Sequence, residues 1–331
     1  VETHYKDMHL KVDLISTKKP LMIQDTGYVA VGSSGHSWYY SLTRLKVSGK
    51  LKHNGIEEEI SGMAWMDHQW GPFLVSPVEI GNMFESYEWF CLQLDDGTDM
   101  MISNIFDRKN NLPQTPDYGG VEVSFPEDHS LFFHDRNFVR TNFWQDPESG
   151  HYMSMGWELN APEKEIYLKL SPHIKNQMVH LPLGGSFWEG SLSVSGTIRG
   201  KDVSGVGFGE LIHRYQVPEL KLNKLNISYK KNEKINLEWE IKNPDAGNPL
   251  RYRVELMLLD QGIIKLADGI QFTGLSFRLN EVSRGLPPFK KFKIKVTAFS
   301  IDQVIKGSKI SKEIRVLKRE HSARAGERFI Q

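Results

Sequence analysis

Short runs of alternating apolar and polar residues fill the first 216 positions, and turns rich in Gly, Pro, Asn and Asp separate them. A period of two is typical of extended strands, and helical periodicity is almost absent from this region. Nine strands are predicted here: Trp38 to Gly49, Glu57 to Asp67, Tyr87 to Leu94, Asp99 to Asp107, Gly120 to Phe125, Tyr152 to Leu159, Glu165 to Leu170, Phe187 to Thr197 and Asp202 to His213. The pattern restricts the region to an antiparallel barrel or sandwich.

Two of the turns predict hairpins. Asp95-Asp96-Gly97 lies between two predicted strands, and an Asp-Gly pair tolerates the positive φ angles of a tight turn. The segment 197–202, which contains Gly200, has the same character.

The two parts of the chain carry opposite charges. Residues 217–331 contain 23 Lys/Arg and 13 Asp/Glu, and residues 1–216 contain 18 and 28, so the net charges are +10 and −10. The composition changes at Val217-Pro218-Glu219-Leu220, which is typical of a linker. We therefore predict a barrel region over 1–216, a second domain over 217–318 and a charged tail over 319–331.

The second domain has the strand spacing of a β-sandwich, with Trp239 as its expected core aromatic residue. Its predicted strands are Lys234 to Lys242, Leu250 to Leu259, Phe289 to Ser300 and Lys309 to Lys318. The last strands weakly resemble a fibronectin type III or immunoglobulin-like module. Its lysines alternate along strands, which favours a solvated sheet face. A docking surface for the acidic domain or for an anionic membrane is the alternative. No nucleic acid partner is expected, because no aromatic residues are interleaved with the lysines.

Several protein classes are excluded by composition. Cys91 is the only cysteine, so neither an intrachain disulfide nor a thiolate metal cluster can form, and we expect a buried thiol. No apolar run approaches the roughly 18 residues needed for a transmembrane segment.

The first residue is Val and no signal segment follows, so the chain is expected to be processed, trimmed or a fragment.

One predicted strand, Gly62 to Gly71, combines a carboxylate and an imidazole with two tryptophans. Because side chains alternate along a strand, its residues divide into two faces. One face carries Trp65, Asp67 and Gln69, and the other carries Ala64, Met66, His68 and Trp70. An acid beside an indole can protonate an apolar molecule and hold the resulting cation against an aromatic ring.

Five sequence blocks, one of which contains this strand, share the order and spacing of a known family over roughly residues 20 to 215. They are Ser37-Trp-Tyr-Tyr-Ser-Leu-Thr-Arg44 with Val47-Ser-Gly49, Ser61 to Gly71, Trp89 to Gly97, Phe187-Trp-Glu-Gly190 and Gly205 to Leu211. Together they resemble the carotenoid hydratase / AttH family of lipocalin-like proteins, often described as secreted hydrolases. The resemblance implies lipocalin-like antiparallel barrels, an exported protein and hydration of an isolated carbon–carbon double bond. It also implies an earlier half, which a second chain or a missing N-terminal half would supply.

The expected site is built around Asp67, which would donate a proton to an alkene or a leaving hydroxyl. His68 or Glu210 would position the water of the reaction. The residues expected to line the ligand site are Trp65, Trp70, Trp89, Tyr39, Tyr87 and Trp188. Structural roles are the alternatives. Asp67 could cap a turn or pair with Arg44, His68 could pack on the barrel exterior unless a bulge re-aims it, and Glu210 could pair with Arg214.

No cofactor or metal is expected. His129 and His134 lie five residues apart and His173 and His180 seven, without an acidic third ligand at useful spacing. The glycines of Gly205 to Gly209 precede no helix, which argues against a dinucleotide site.

We therefore predict an all-β chain, with lipocalin-like antiparallel barrels followed by an immunoglobulin-like sandwich. Its expected function is that of a hydro-lyase or cyclase acting on a small lipophilic, isoprenoid- or polyketide-like substrate. A non-catalytic lipophile carrier is the alternative. A structural or adhesion module is a third hypothesis, and it predicts a lumen filled by side chains.

Overall fold

A computed structural model describes residues 1–33, 35–72, 85–127, 129–181, 185–259 and 261–317. The chain divides into two compact units. Unit 1 comprises Val1–Tyr215 and Asp245–Asn248, and unit 2 comprises Gln216–Pro244 and Pro249–Gln331. Most of the described residues lie in strands, so the all-β prediction is confirmed.

Sheet 1 of unit 1 is organised around one long strand, β5, which pairs with β2, β3, β4 and β6. Its described strands are β1 (Glu2–Tyr5), β2 (Met8–Ser16), β3 (Leu21–Met22), β4 (Tyr28–Val31), β5 (Gly35–His53) and β6 (Ile56–Trp70). Asn54 and Gly55 close the β5–β6 hairpin with φ angles of 49° and 79°. Two consecutive positive φ angles match the right-handed twist of the strands, which is why an Asn-Gly pair occupies this turn.

Sheet 2 of unit 1 contains β7 to β16, in the order β10-β9-β8-β7-β16-β15-β13-β12-β11, with β14 paired to β15. Its described strands are β7 (Ser86–Leu94), β8 (Asp99–Phe106), β9 (Val121–Ser124), β10 (Ser130–Phe133), β11 (Asn137–Gln145), β12 (Tyr152–Ala161), β13 (Ile166–Pro172), β14 (Met178–His180), β15 (Ser186–Ile198) and β16 (Lys201–Leu211). Single 3₁₀ turns occur at Pro116–Tyr118 and Pro162–Lys164. Both predicted hairpins are confirmed, since β7 pairs with β8 and β15 with β16.

The two faces of β7 have different surroundings. Phe90 and Leu92 lie in the main apolar core of sheet 2, and Trp89 packs on the other side, in a smaller cluster shared with sheet 1. Glu88 also lies on the core side and is fully buried, where Arg140 donates to its carboxylate. Burial alone would raise the pKa of Glu88, but Arg140 and the hydrogen bonds together lower it. The strand is therefore covered on both faces.

A buried ionic contact at Asp99 connects the two sheets. Lys18 Nζ lies 3.0 Å from Asp99 Oδ2 and Arg44 Nη2 lies 2.7 Å from Oδ1, while the Thr43 hydroxyl donates to Oδ2 at 2.9 Å. Consecutive side chains normally point to opposite faces of a strand. The β5–β6 register shifts between Leu42 and Leu45, and this bulge allows both Thr43 and Arg44 to reach one carboxylate.

The described residues of unit 2 form two sheets that enclose one apolar core, in which Trp239 is buried as expected. β17 (Leu220–Leu222), β19 (Lys234–Ile241) and β22 (Gly274–Arg278) form one sheet. The other contains β18 (Ser228–Lys230), β20 (Arg251–Leu258), β21 (Gly262–Ile270), β23 (Lys291–Phe299), β24 (Lys306–Ile310) and β25 (Ile314–Leu317). A short helix, α1 (Leu279–Val282), follows β22.

One strand prediction for unit 2 is wrong. The expected strand from 309 to 318 is two strands, β24 and β25, because the pairing with β23 stops after Ile310 and resumes at Ile314. β25 then pairs in parallel with β18. Among the described helices, none is long and apolar enough to cross a membrane.

We expect Asp99→Asn to lower the free energy of unfolding by about 3–5 kcal/mol, because the partly buried cations of Lys18 and Arg44 would lose the fully buried carboxylate that compensates them. Glu57→Gln is the matched control, since it removes the carboxylate of an exposed pair with Lys50 and should cost far less. Urea unfolding of both variants measures the difference. Similar losses in the two variants would contradict a supporting role for the Asp99 contact.

Candidate active site

A cavity of about 280 Å³ lies between sheet 1 and the outer face of β7, β8, β9 and β16. Small-molecule sites usually have volumes of roughly 300–1,000 Å³, so this one suits a compact ligand or one part of a longer ligand. Its apolar lining includes Ile23, Val29, Ala30, Val31, Tyr39, Trp89, Met101, Ile105 and Phe132. Its polar lining includes Gln24, Asp67, Gln69, Tyr87, Ser103, Glu122 and Glu210.

Asp67 is held on β6 by neighbouring donors. The Ser41 hydroxyl donates to Asp67 Oδ1 at 2.5 Å and the Trp65 indole N–H donates to the same oxygen at 2.8 Å. The side chain is accessible from the cavity, yet the surrounding walls displace much of its water. This burial raises the pKa of Asp67, while hydrogen bonds from Ser41, Trp65 and Tyr39 oppose the increase.

Tyr39 and Trp89 supply aromatic walls beside Asp67. Tyr39 is buried in the cluster between the two sheets, and Trp89 packs against that cluster. Burial raises the pKa of the Tyr39 phenol well above its ordinary value, and the neighbouring Asp67 carboxylate raises it further. Tyr39 is therefore a neutral hydrogen-bond donor at physiological pH.

Glu122 is a second acid of the cavity, on β9. Only 1% of its surface is exposed, and the backbone N–H of Gln24 donates to its Oε1 at 2.7 Å. Burial raises the pKa of Glu122 to about 8, and the nearby Asp25 adds to the increase. Glu122 therefore carries a proton at neutral pH and can act as a general acid.

Glu210 forms a third acidic position, on β16. It accepts a hydrogen bond from the Tyr87 hydroxyl, and both side chains line the cavity. Glu189 lies opposite Glu210 on β15, and its pKa is raised by burial and by the Glu210 charge. Glycines 205, 207 and 209 bring β16 close to β7, since a Cβ added at Gly205 would lie 2.3 Å from the Gln93 carbonyl oxygen.

The carboxyl groups of the described cavity lining have no basic side chain among them. Three carboxyl groups line the cavity, those of Asp67, Glu122 and Glu210, and no Lys, Arg or His is among the described lining residues. A ligand with a carboxylate or phosphate is disfavoured there, whereas a developing positive charge is stabilised.

Five of the residues expected from the sequence meet in this cavity: Asp67, Glu210, Tyr39, Tyr87 and Trp89. Trp65 lies directly behind Asp67, on the face expected from strand alternation. The two ion pairs considered as structural alternatives do not form, because Arg44 pairs with Asp99 and Arg214 donates to Ser186.

His68, Trp70 and Trp188 lie outside the lining of this cavity. His68 and Trp70 share the outer face of β6, where their rings contact each other and Tyr40. The bulge lies on β5, not at His68, so the regular alternation of β6 is kept there. Trp188 is fully buried in the core of sheet 2 and donates to the Lys175 carbonyl.

Sequence reasoning did not find Glu122. Between Val121 and Val123 it follows the alternation of a strand with one solvated face. No sequence signal showed that this polar face is buried, because β9 lies next to the edge strand β10 and its burial depends on packing against sheet 1. No described group with metal-ligand geometry lies in the cavity; one lies on the β1–β2 hairpin, at Glu2, His4 and His9.

Comparison with solved structures identifies two proteins of similar fold. A protein described as an AttH from Nitrosomonas europaea superposes with a TM-score of 0.54 at 20% identity, covering 63% of this chain and 62% of that one. Kievitone hydratase from Nectria haematococca gives a TM-score of 0.51 at 18% identity, covering 64% of this chain and 63% of that one. The chain thus spans less than two thirds of either protein. No curated protein sequence matches it.

The similarity to these two structures confirms the lipocalin-like all-β fold. The family model described as AttH-like matches residues 1–215, which contain the whole described cavity lining. By this match over most of its length, the chain belongs to the AttH-like family.

Proposed function

We propose that the protein adds water to, or removes it from, a carbon–carbon double bond of a small, largely apolar molecule of isoprenoid- or polyketide-like character. The observation that carries the proposal is the presence of Asp67 and Glu122, two carboxyl groups with raised pKa values, in one aromatic-lined cavity. The fold shared with a hydratase supports the same reaction class.

Glu122 is the proton donor in the hydration direction. At neutral pH it is protonated, so it can transfer its proton to one alkene carbon while the π electrons form the new C–H bond. The other carbon becomes cationic. Trp89 and the remaining carboxylates surround that carbon with negative charge and aromatic π-density.

Asp67 is the base that completes the reaction. Hydrogen bonds from Ser41 and Trp65 favour its carboxylate form and orient it. As water attacks the cation, Asp67 accepts the proton that the water loses. Protons then re-equilibrate between the carboxyl groups and solvent, so that one water is consumed and no oxidant or reductant is required. Dehydration follows the same steps in reverse.

A non-catalytic lipophile carrier is the second candidate function. The apolar walls formed by Ile23, Val29 and Met101 favour it, because they supply binding without chemistry. The carrier hypothesis gives the carboxyl groups no role in turnover. The open cavity beside Asp67 argues against the third hypothesis, since a structural module was expected to have a filled lumen.

We expect Asp67→Asn and Glu122→Gln each to reduce turnover by about 10²–10⁴-fold with little effect on ligand binding, because each removes one proton-transfer group. Turnover is measured with a panel of uncharged isoprenoid and polyketide alkenes in ¹⁸O-labelled water, by mass spectrometry of the product. Glu127→Gln, an exposed neighbour on the turn after β9, is the matched control. Binding without turnover by the unmodified protein across the panel would favour the carrier.

The pH profile distinguishes the two acids. If Glu122 donates the proton, kcat/KM falls as the pH rises through about 8, since the donor is then deprotonated. Glu122→Gln should lack this alkaline limb in its residual activity. If the limb persists in Glu122→Gln and disappears in Asp67→Asn, the donor is Asp67, as first expected from the sequence.

The raised pKa of Glu122 is also testable without a substrate. Above the pKa of the unfolded chain, near 4.5, the folded protein retains a proton that the unfolded chain has released, so Glu122 lowers stability as the pH rises to about 8. Glu122→Gln should therefore become more stable relative to wild type between about pH 5 and pH 9, by as much as roughly 4 kcal/mol. Urea unfolding at both pH values measures this. A difference independent of pH would contradict the raised pKa.

A further inference from the structure

The N-terminal hairpin carries a cluster of histidine and carboxylate side chains outside the cavity. β1 and β2 pair so that His4 lies opposite His9 and Glu2 lies opposite Lys11. Glu2 and His4 are two residues apart and therefore share one face of β1, and direct pairing brings His9 and Lys11 to the same face.

The distances within this cluster are short. His9 Nε2 lies 2.9 Å from Glu2 Oε1, and the rings of His4 and His9 are stacked with centroids 3.9 Å apart and an interplanar angle of 11°. One ligand atom from each of Glu2, His4 and His9 can be chosen so that all three lie within 4.8 Å of one another. Among the described residues, no other group of three has this property.

The chemistry of the donors selects a class of ion. Two imidazole nitrogens and one carboxylate oxygen are a ligand set for Zn²⁺ and for neighbouring divalent transition metals, whose bonds to these atoms are about 2.0–2.2 Å long. Mg²⁺ and Ca²⁺ prefer sites made only of oxygen. The side chains would have to rotate to bring the three atoms around one ion, which the exposure of Glu2 and His4 permits, and further positions would be open to water.

We propose that Glu2, His4 and His9 bind one divalent transition-metal ion, such as Zn²⁺ or Ni²⁺, and that the ion cross-links β1 to β2. The site is separate from the cavity, since none of the three residues lines it. Lys11 moderates the affinity, because its ammonium lies 3.5 Å from Glu2 Oε2 and repels a cation.

Titration calorimetry of the full chain with ZnCl₂, NiCl₂ and MgCl₂ near neutral pH tests this proposal. We expect one Zn²⁺ or Ni²⁺ per chain, no Mg²⁺ binding, and at least about tenfold weaker binding in His4→Gln and in His9→Gln. Lys11→Met should bind about two- to tenfold more tightly, because it removes the competing ammonium. Amide hydrogen exchange in β1 and β2 should slow when Zn²⁺ is added.

The matched control is His173→Gln, which removes another exposed histidine whose partner is Ser191. It should bind Zn²⁺ like wild type. Wild-type protein without saturable Zn²⁺ or Ni²⁺ binding would overturn the proposal. So would His4→Gln and His9→Gln variants that bind as tightly as wild type, since the ion would then be held elsewhere.

Discussion

The buried carboxylate of Asp99 is the contact on which the architecture of unit 1 depends. It lies in sheet 2 and is compensated by Lys18, Thr43 and Arg44, which come from the β5 bulge and from the segment after β2. A desolvated ionic contact is stable only when its partners remain in place. This requirement holds the sheets at one relative position, and the cavity is the space left between them.

In the cavity, desolvation acts on carboxyl groups that have no cationic partner among the described lining residues. Asp99 has two cationic partners, whereas Glu122 has a single backbone donor and an acidic neighbour in Asp25. Desolvation therefore favours the neutral form of Glu122. Asp67 lies between these cases, because its donors are neutral and its water is only partly displaced. Three carboxyl groups in one unit thus acquire three different environments.

Much of the fold could be predicted from local patterns. The nine strands expected before residue 216 all occur, and the turns at Gly97 and Gly200 were identified because tight hairpins restrict φ. The strands before Trp38 were not expected, although β1 to β4 complete sheet 1. β1, β3 and β4 have four residues or fewer, which is too short for alternation to be recognised, whereas β2 has nine residues and pairs with both β1 and β5.

The sequence by itself determined the all-β class and the shared face of Trp65 and Asp67, because alternation is a property of the backbone. Only the tertiary structure decided which faces enclose the cavity. It placed His68 outside and Glu122 inside, since burial of a polar face depends on the sheet that packs against it. It also brought His4 and His9 together, because strand register joins residues whose spacing carries no metal signal. The pKa of a buried carboxyl group likewise depends on the neighbours that the fold brings together, so the sequence pattern alone does not give it.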